Sequence, residues 1–491
     1  MRGWLSILGA AALVAGCNRT PPERQAVVAA AAAMGGAEKI TGTNSVVLEG
    51  GGENWNFGQN RTPGGDLPRY EVSNFARRYD FAKGRWRLEQ VRTPTFPTGN
   101  PAPQRQFLAL DGDLAFDVAT NGVIVRHPAQ IAVQRRAELL HHPLGLMRAA
   151  LAPDARLANP RKDGANDVVD LTGIDGTTLT VHFDGATKLP VRVVSMIDQP
   201  NLGDIPMASE FGDYADAGGL KLPTRYTTTW DGIAVSRITV ARTGVNEAVD
   251  DLVAPPPVAS STPGAGPANV TVENVAPGVW YLTGQSHHSL LVQFADHLVL
   301  VEAPLNEART LAAIAKAREL GAGKPVTMVV PTHHHFDHSA GIRAAIAEGL
   351  TILTPTGNRA FFESVASRPH TIVPDALAKA PKPPRIESFD NELTMKDAAM
   401  TMVLYTIKDS RHADPFVMAY LPGPRVLFQA DAYNPPPPDN PSPVFPFVSN
   451  LVANITERGI KVDRVLGAHG TGVPYAQVAA AASANAAPAT Q

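Results

Sequence analysis

The sequence predicts an α+β protein built in two parts, and three observations carry that expectation: chain length, a change of periodicity along the chain, and a Pro- and Gly-rich break. At 491 residues the chain exceeds what one hydrophobic core usually serves, so two domains are expected. From residue 44 to 253, short segments alternate polar and apolar residues between Gly, Asp and Asn. Tyr70-Glu71-Val72-Ser73-Asn74-Phe75 and Thr178-Leu179-Thr180-Val181-His182-Phe183 are examples. A period of two gives one dry and one wet face, which is the pattern of antiparallel strands. Beyond the break, short apolar β-branched runs such as Pro325-Val326-Thr327-Met328-Val329-Val330 alternate with helical patterns, as buried strands beside helices do.

Taken in order, residues 1–17 read as an export signal. One charge at Arg2 precedes an apolar run over residues 4–14, well short of the roughly 20 residues that span a bilayer, and small residues follow. Val14-Ala15-Gly16-Cys17 resembles the bacterial lipobox, which implies cleavage before Cys17 and lipidation of that residue. The other reading is an ordinary secretory signal with an incidental cysteine. Cys17 is the only cysteine, so neither a disulfide nor a metal thiolate is available. Asn18 rather than Asp follows it, which by the same resemblance favours an outer-membrane anchor facing the periplasm of a bacterial cell envelope.

Residues 18–43 read as a spacer and a short Ala-rich helix. Within the β-rich part, residues 130–151 carry a helical pattern that Pro143 breaks or kinks, with His141 and His142 as helix-end residues. The motifs Lys188-Leu189-Pro190-Val191-Arg192-Val193 and Gly218-Gly219-Leu220-Lys221-Leu222-Pro223-Thr224 resemble the strands of periplasmic lipoprotein-carrier half-barrels. Residues 254–268 form a semi-extended linker, 269–475 the second domain, and 476–491 an Ala-rich tail. With 43 basic against 46 acidic residues and a net charge of −3, nothing points to nucleic acid; a small-molecule substrate is expected, apolar or acyl-bearing if the half-barrel helps to bind it.

The chemistry concentrates behind the apolar run 325–330, in Thr332-His333-His334-His335-Phe336-Asp337-His338. In extended backbone, residues two apart point the same way, so His333 and His335 present imidazoles together while His334 points elsewhere. Asp337 and His338 then fall on the turn into a helix that begins near Ser339. This His-x-His-x-Asp-His motif resembles the first metal motif of the metallo-β-lactamase superfamily, over residues 269–475.

That resemblance implies an αββα sandwich and three further ligands at the ends of later strands, which His412, Asp431 and His469 supply. It implies that His333, His335 and His412 hold one zinc, that Asp337, His338 and His469 hold another, and that Asp431 bridges them, with iron or manganese as other metals. The implied chemistry is hydrolysis by zinc-activated water, with Asp337 orienting the nucleophile or relaying a proton. True β-lactamases of the superfamily lack the bridging aspartate. Asp431 therefore moves the expected substrate toward an ester, lactone, thioester or phosphodiester. The alternatives are a β-lactamase-type amide hydrolase and a metal-stabilised binding protein for apolar ligands.

Four further features carry two readings each. Glu302 stands where many members of the superfamily have an Asp, and either orients a ligand or is an exposed acid before a turn. His287 and His288 either face the cleft or are solvated loop residues, the second being the expectation. Tyr433 either donates to a developing oxyanion or is a packed strand-end tyrosine. Residues 434–447, rich in proline with Phe445 and Phe447, read as a rigid loop that walls the substrate or as a surface connection.

Overall fold

The computed structural model describes residues 20–97, 102–119, 121–263, 268–435 and 447–486. The segment read as an export signal with Cys17, most of the proline-rich loop including Phe445, and the last five residues lie outside them. Among the described residues no helix is long and apolar enough to cross a membrane.

Thirteen antiparallel strands form the first sheet, between Ser45 and Val245. The first strand, Ser45–Trp55, lies mid-sheet between Arg69–Asp80 and Ile233–Val245. The chain meanders outward from it to the edge strand Ile124–Arg126, crosses through two helices, and meanders back from the other edge, Leu157–Asp163. The crossing helices are Ala129–Leu140 and Pro143–Leu151. Pro143 thus does not kink one helix but starts a second, at the position where its missing N–H costs nothing. His141 and His142 sit at the junction, and the His142 ring accepts from the Leu144 N–H as an N-cap. These helices and Pro22–Met34 bury Leu144, Leu146, Met147 and Met34 against strand residues Trp86, Leu110 and Phe183.

Between residues 254 and 268 the expected extended linker contains a short helix, Pro256–Ser260, whose Val258 packs on Ala109 and Phe116. Proline in its first turn presets φ, and Arg126 Nη1 donates to the Ala259 carbonyl at 3.1 Å and the Ser261 carbonyl at 2.9 Å.

The described residues from 268 onward form two sheets. The seven-stranded one runs antiparallel from Thr271–Ala276 to Leu298–Val301, then parallel through Val326–Val330, Thr351–Pro355 and Arg385–Phe389. The six-stranded one includes the parallel pair Val426–Gln429 and Arg464–Gly467. One apolar cluster draws on both sheets, joining Tyr281, Val292 and Val330 to Leu404, Met418 and Phe428. A second packs the helices Glu307–Leu320 and Ile342–Ala347 on the seven-stranded sheet. In the described part of the Ala-rich tail, Tyr475–Ala486 is a helix with Val478 and Ala482 buried.

The N-terminal sheet touches the later sheets through specific polar contacts. Asn201 Nδ2 donates to the Phe336 carbonyl at 3.1 Å and to Ser339 Oγ at 3.0 Å, and Arg368 pairs with Asp231 at 2.7 Å.

Candidate metal centre

Parallel neighbours end on the same side of a sheet, so the residues just beyond Leu298–Val301 and Val326–Val330 share one rim, as do those just beyond Val426–Gln429 and Arg464–Gly467. Glu302, His333, Asp431 and His469 come within three residues of the ends of those four strands. His412 comes from the loop before Val417–Leu421. Asp337 and His338 lie inside a one-turn helix, Phe336–Ser339, which starts earlier than the expected Ser339.

Three groups of side chains offer ligand atoms that lie within 4.8 Å of one another: His333, His335 and His412; His287, Asp337, His338 and His469; and His333, His338 and Asp431. All seven residues singled out as ligands are therefore together. Asp431 joins the groups: its Oδ2 lies 2.8 Å from His338 Nε2 and 3.3 Å from His412 Nε2, and its Oδ1 3.2 Å from His469 Nε2.

Three of the rings are pinned by one nitrogen so that the other points toward Asp431. His333 Nδ1 meets Thr332 Oγ1 at 2.9 Å, His338 Nδ1 meets Glu302 Oε2 at 2.7 Å, and His469 Nδ1 meets the Ser286 carbonyl at 3.2 Å. Their Nε2 atoms converge. His335 is reversed: its Nε2 donates to the Asn60 carbonyl at 3.0 Å, and its buried Nδ1 has no partner. His333 and His412 present Nε2 atoms 3.2 Å apart, and His338 and His469 present theirs 3.3 Å apart. Two nitrogens each about 2.05 Å from a tetrahedral zinc lie roughly 3.3 Å from one another. The donor set thus fits a metal in spacing, in orientation and in the orphaned nitrogen of His335. His334, whose Nε2 donates to the same Asn60 carbonyl at 2.7 Å, belongs to none of the three groups.

The electrostatics divide the donors: burial lowers the pKa of His338 and His469, but Asp431 outweighs it and raises both above the usual imidazole range. Burial, then the neighbouring histidines, hold His333 and His335 well below the usual imidazole range, so both are neutral and keep a lone pair. Burial pushes the Asp431 carboxyl up, but His338, His412 and His469 outweigh it and keep it ionised. Asp337 is likewise held down, burial being outweighed by His338 and by a hydrogen bond from His287.

One expectation needs correction, and two open readings are decided. His287 and His288 are not solvated but 7% and 9% exposed. His287 Nε2 lies 3.2 Å from Asp337 Oδ2, and its ring packs on His469. His288 Nδ1 lies 2.6 Å from the Tyr281 hydroxyl, and burial lowers its pKa to about 4. The adjacent strand, Ser289–Gln293, buries both its faces beside the donor rim, a setting in which a preceding histidine pair faces inward. Tyr433 is in the shared core, and its hydroxyl accepts from Gln477 Nε2 at 3.2 Å, which leaves the oxyanion role without geometric support. Glu302 is fully buried and holds His338, so the exposed-acid reading fails.

Two sheets that share one core carry this donor cluster at their rim, which defines the class of site, a candidate metal centre. No family model and no curated protein matches the chain. Among solved structures, a metallo-β-lactamase from Pontibacter korlensis is 17% identical, covering 45% of this chain and 100% of its own, with a TM-score of 0.35. One from Hirschia baltica is 17% identical over 44% of this chain and 97% of its own, with a TM-score of 0.34.

Proposed function

We propose that this chain is a hydrolase that holds two zinc ions and cleaves an ester, lactone, thioester or phosphodiester in a small, apolar or acyl-bearing molecule. The observation that carries the reading is Asp431, whose two carboxylate oxygens reach histidines of both donor groups. A closed structural site needs four ligands and no carboxylate between two groups. Two bound zinc ions supply an acidified water and an electrophile for the attacked oxygen.

The chain's own residues do the rest. Thr332, Glu302 and Ser286 fix which nitrogen of each ring faces inward. Asp337, ionised and held through both oxygens by Gln59 and His287, is placed to orient a nucleophilic water or to take its proton. The proposal extends to an αββα sandwich preceded by a half-barrel, tethered through lipidated Cys17 on the periplasmic side of a bacterial outer membrane.

The test is to purify the protein without its leader, count bound metals, and assay a lactone, a thioester, a phosphodiester and a β-lactam, with His335→Ala as control. Two metals per chain and activity lost in the variant are expected. Fewer than two metals at full loading, or activity unchanged in His335→Ala, would sink the reading. Cleavage of the β-lactam alone would redirect it to amide hydrolysis.

A further inference from the structure

Residues 56–68 join the first two strands of the N-terminal sheet, yet the loop makes its contacts on the metal centre. Four successive residues bond across. The Gly58 carbonyl accepts from the Phe336 N–H at 3.2 Å. Gln59 Nε2 donates to Asp337 Oδ1 at 2.7 Å. The Asn60 carbonyl accepts from both His334 and His335. Arg61 Nε donates to the Ser410 carbonyl at 3.0 Å, and its own carbonyl accepts from the Asp414 N–H at 2.7 Å. Gly58 is required there: its φ is +79°, and a Cβ would stand 2.2 Å from the Phe336 ring. Phe57 packs edge-on against both Phe336 and Trp230, at 5.6 Å in each case.

The same loop borders a cavity of about 390 Å³ that also reaches His335, His412 and Asp431. Its apolar walls come from both parts of the chain: Leu67 and Pro68 from this loop, Tyr70 and Phe96 from the second strand and just beyond the third, and Phe447 from the metal side. Tyr70 and Phe96 meet edge to face at 5.1 Å, and Phe447 lies 5.4 Å from the His412 ring. An aromatic corner beside metal ligands suits a flat apolar group next to the bond being cleaved.

We infer that this loop is part of the hydrolase site, with Gln59 as a positioning residue for Asp337 and the wall formed by Leu67, Tyr70 and Phe96 as the subsite for an aryl or similarly flat group of the substrate. The inference rests on the proposed hydrolase reading and deepens it. Gln59 and His287 hold one oxygen each of Asp337, so the carboxylate cannot rotate away from the donors it shares with His338 and His469. Replacing the amide with a carboxylate sets two anions against each other, which is worse than an alanine gap.

The full mature chain loaded with cobalt(II) reports on this without any turnover, through its visible absorption and metal count. Gln59→Ala should bind the first metal as wild type does and the second about tenfold or more weakly, with an altered spectrum, and Gln59→Glu should be weaker still. For the wall, the probes are phenylacetate and acetate titrated against the cobalt spectrum. Wild type should favour phenylacetate by about tenfold, and Phe96→Ala and Leu67→Ala should erase that preference with both metals retained. Gln59 variants indistinguishable from wild type in second-metal affinity and spectrum, or an aryl preference untouched by the wall variants, would overturn the inference while leaving the hydrolase reading in place. A wild-type chain that binds no metal would overturn both.

Discussion

Glu302 Oε2 accepts from His338 Nδ1 at 2.7 Å, and both side chains are fully buried. The other oxygen, Oε1, accepts from the Thr332 N–H at 2.6 Å, and the Glu302 N–H donates to the Val330 carbonyl at 2.9 Å. One carboxylate therefore ties the strand Leu298–Val301 to the start of the histidine motif and fixes the His338 tautomer. The residue holds a φ of +81°, a conformation that a non-glycine residue keeps only when its surroundings impose it.

That double acceptor role makes Glu302→Gln a severe change. The amide oxygen can serve Thr332 or His338 but not both. If the amide nitrogen faces His338, it donates to Nδ1 and moves the ring proton to Nε2, the atom that must stay free. Affinity for zinc should fall by about 10- to 100-fold, measured by competition with a chromophoric chelator. Unchanged affinity would mean that His338 does not bind metal through Nε2.

Tyr433 leads to the opposite expectation. Its ring fills the core shared by the two sheets and its hydroxyl is used by Gln477. Tyr433→Phe should leave turnover within about twofold of wild type and cost about 1 kcal/mol of stability, the worth of one neutral hydrogen bond. A large fall in kcat with KM and melting temperature unchanged would restore the oxyanion role.

The donor set is legible in the sequence because its spacing is local. His333, His335, Asp337 and His338 are fixed by alternation along one segment, and His412, Asp431 and His469 each stand beside an apolar run. Whatever depends on packing between distant segments is not legible. Nothing near His287 in sequence shows that its ring will meet Asp337 and His469, and only the strand behind it hints that it faces inward. The contributions of Gln59 and Asn60 are invisible, because a polar loop between two strands reads as solvent-exposed until the second part of the chain folds against it. Pro143 leaves a break and a kink both open for a related reason: the sequence does not show that it starts a second helix, which the His142 cap decides.

The helix junction carries a pH dependence of its own. Burial, then Arg77, lowers the pKa of His141 and of His142 to about 3. His141 is held between Ser209 and Ser195, and His142 caps the second helix through an unprotonated Nδ1. In the unfolded chain these rings titrate near about 6.5. Below that pH the unfolded state binds protons that the folded state refuses, so their contribution is complete above about pH 6.5 and is lost as pH falls from there toward about 3. Melting temperatures between about pH 7.5 and 5 should fall less steeply in a His141→Gln, His142→Asn double variant than in wild type. Parallel slopes would show that these rings do not carry the acid sensitivity.

Asp431 allows the two donor groups to be told apart. His412 belongs to one group alone, with His333 and His335, whereas Asp431 reaches His412 at 3.3 Å on one side and His469 at 3.2 Å on the other. His412→Ala should therefore weaken one metal and spare the second. Asp431→Ala should weaken both, because it also removes the anion that offsets two clusters of ligands around two divalent cations. Since metal bound only by the folded state raises stability by about 2.7 kcal/mol when present at about 100 times its dissociation constant, the difference should appear in heat denaturation as well. Zinc should raise the midpoint of His412→Ala and have little effect on Asp431→Ala. If the two variants retain the same number of metals and respond equally to zinc, Asp431 is a ligand of one ion and the bridged arrangement is wrong.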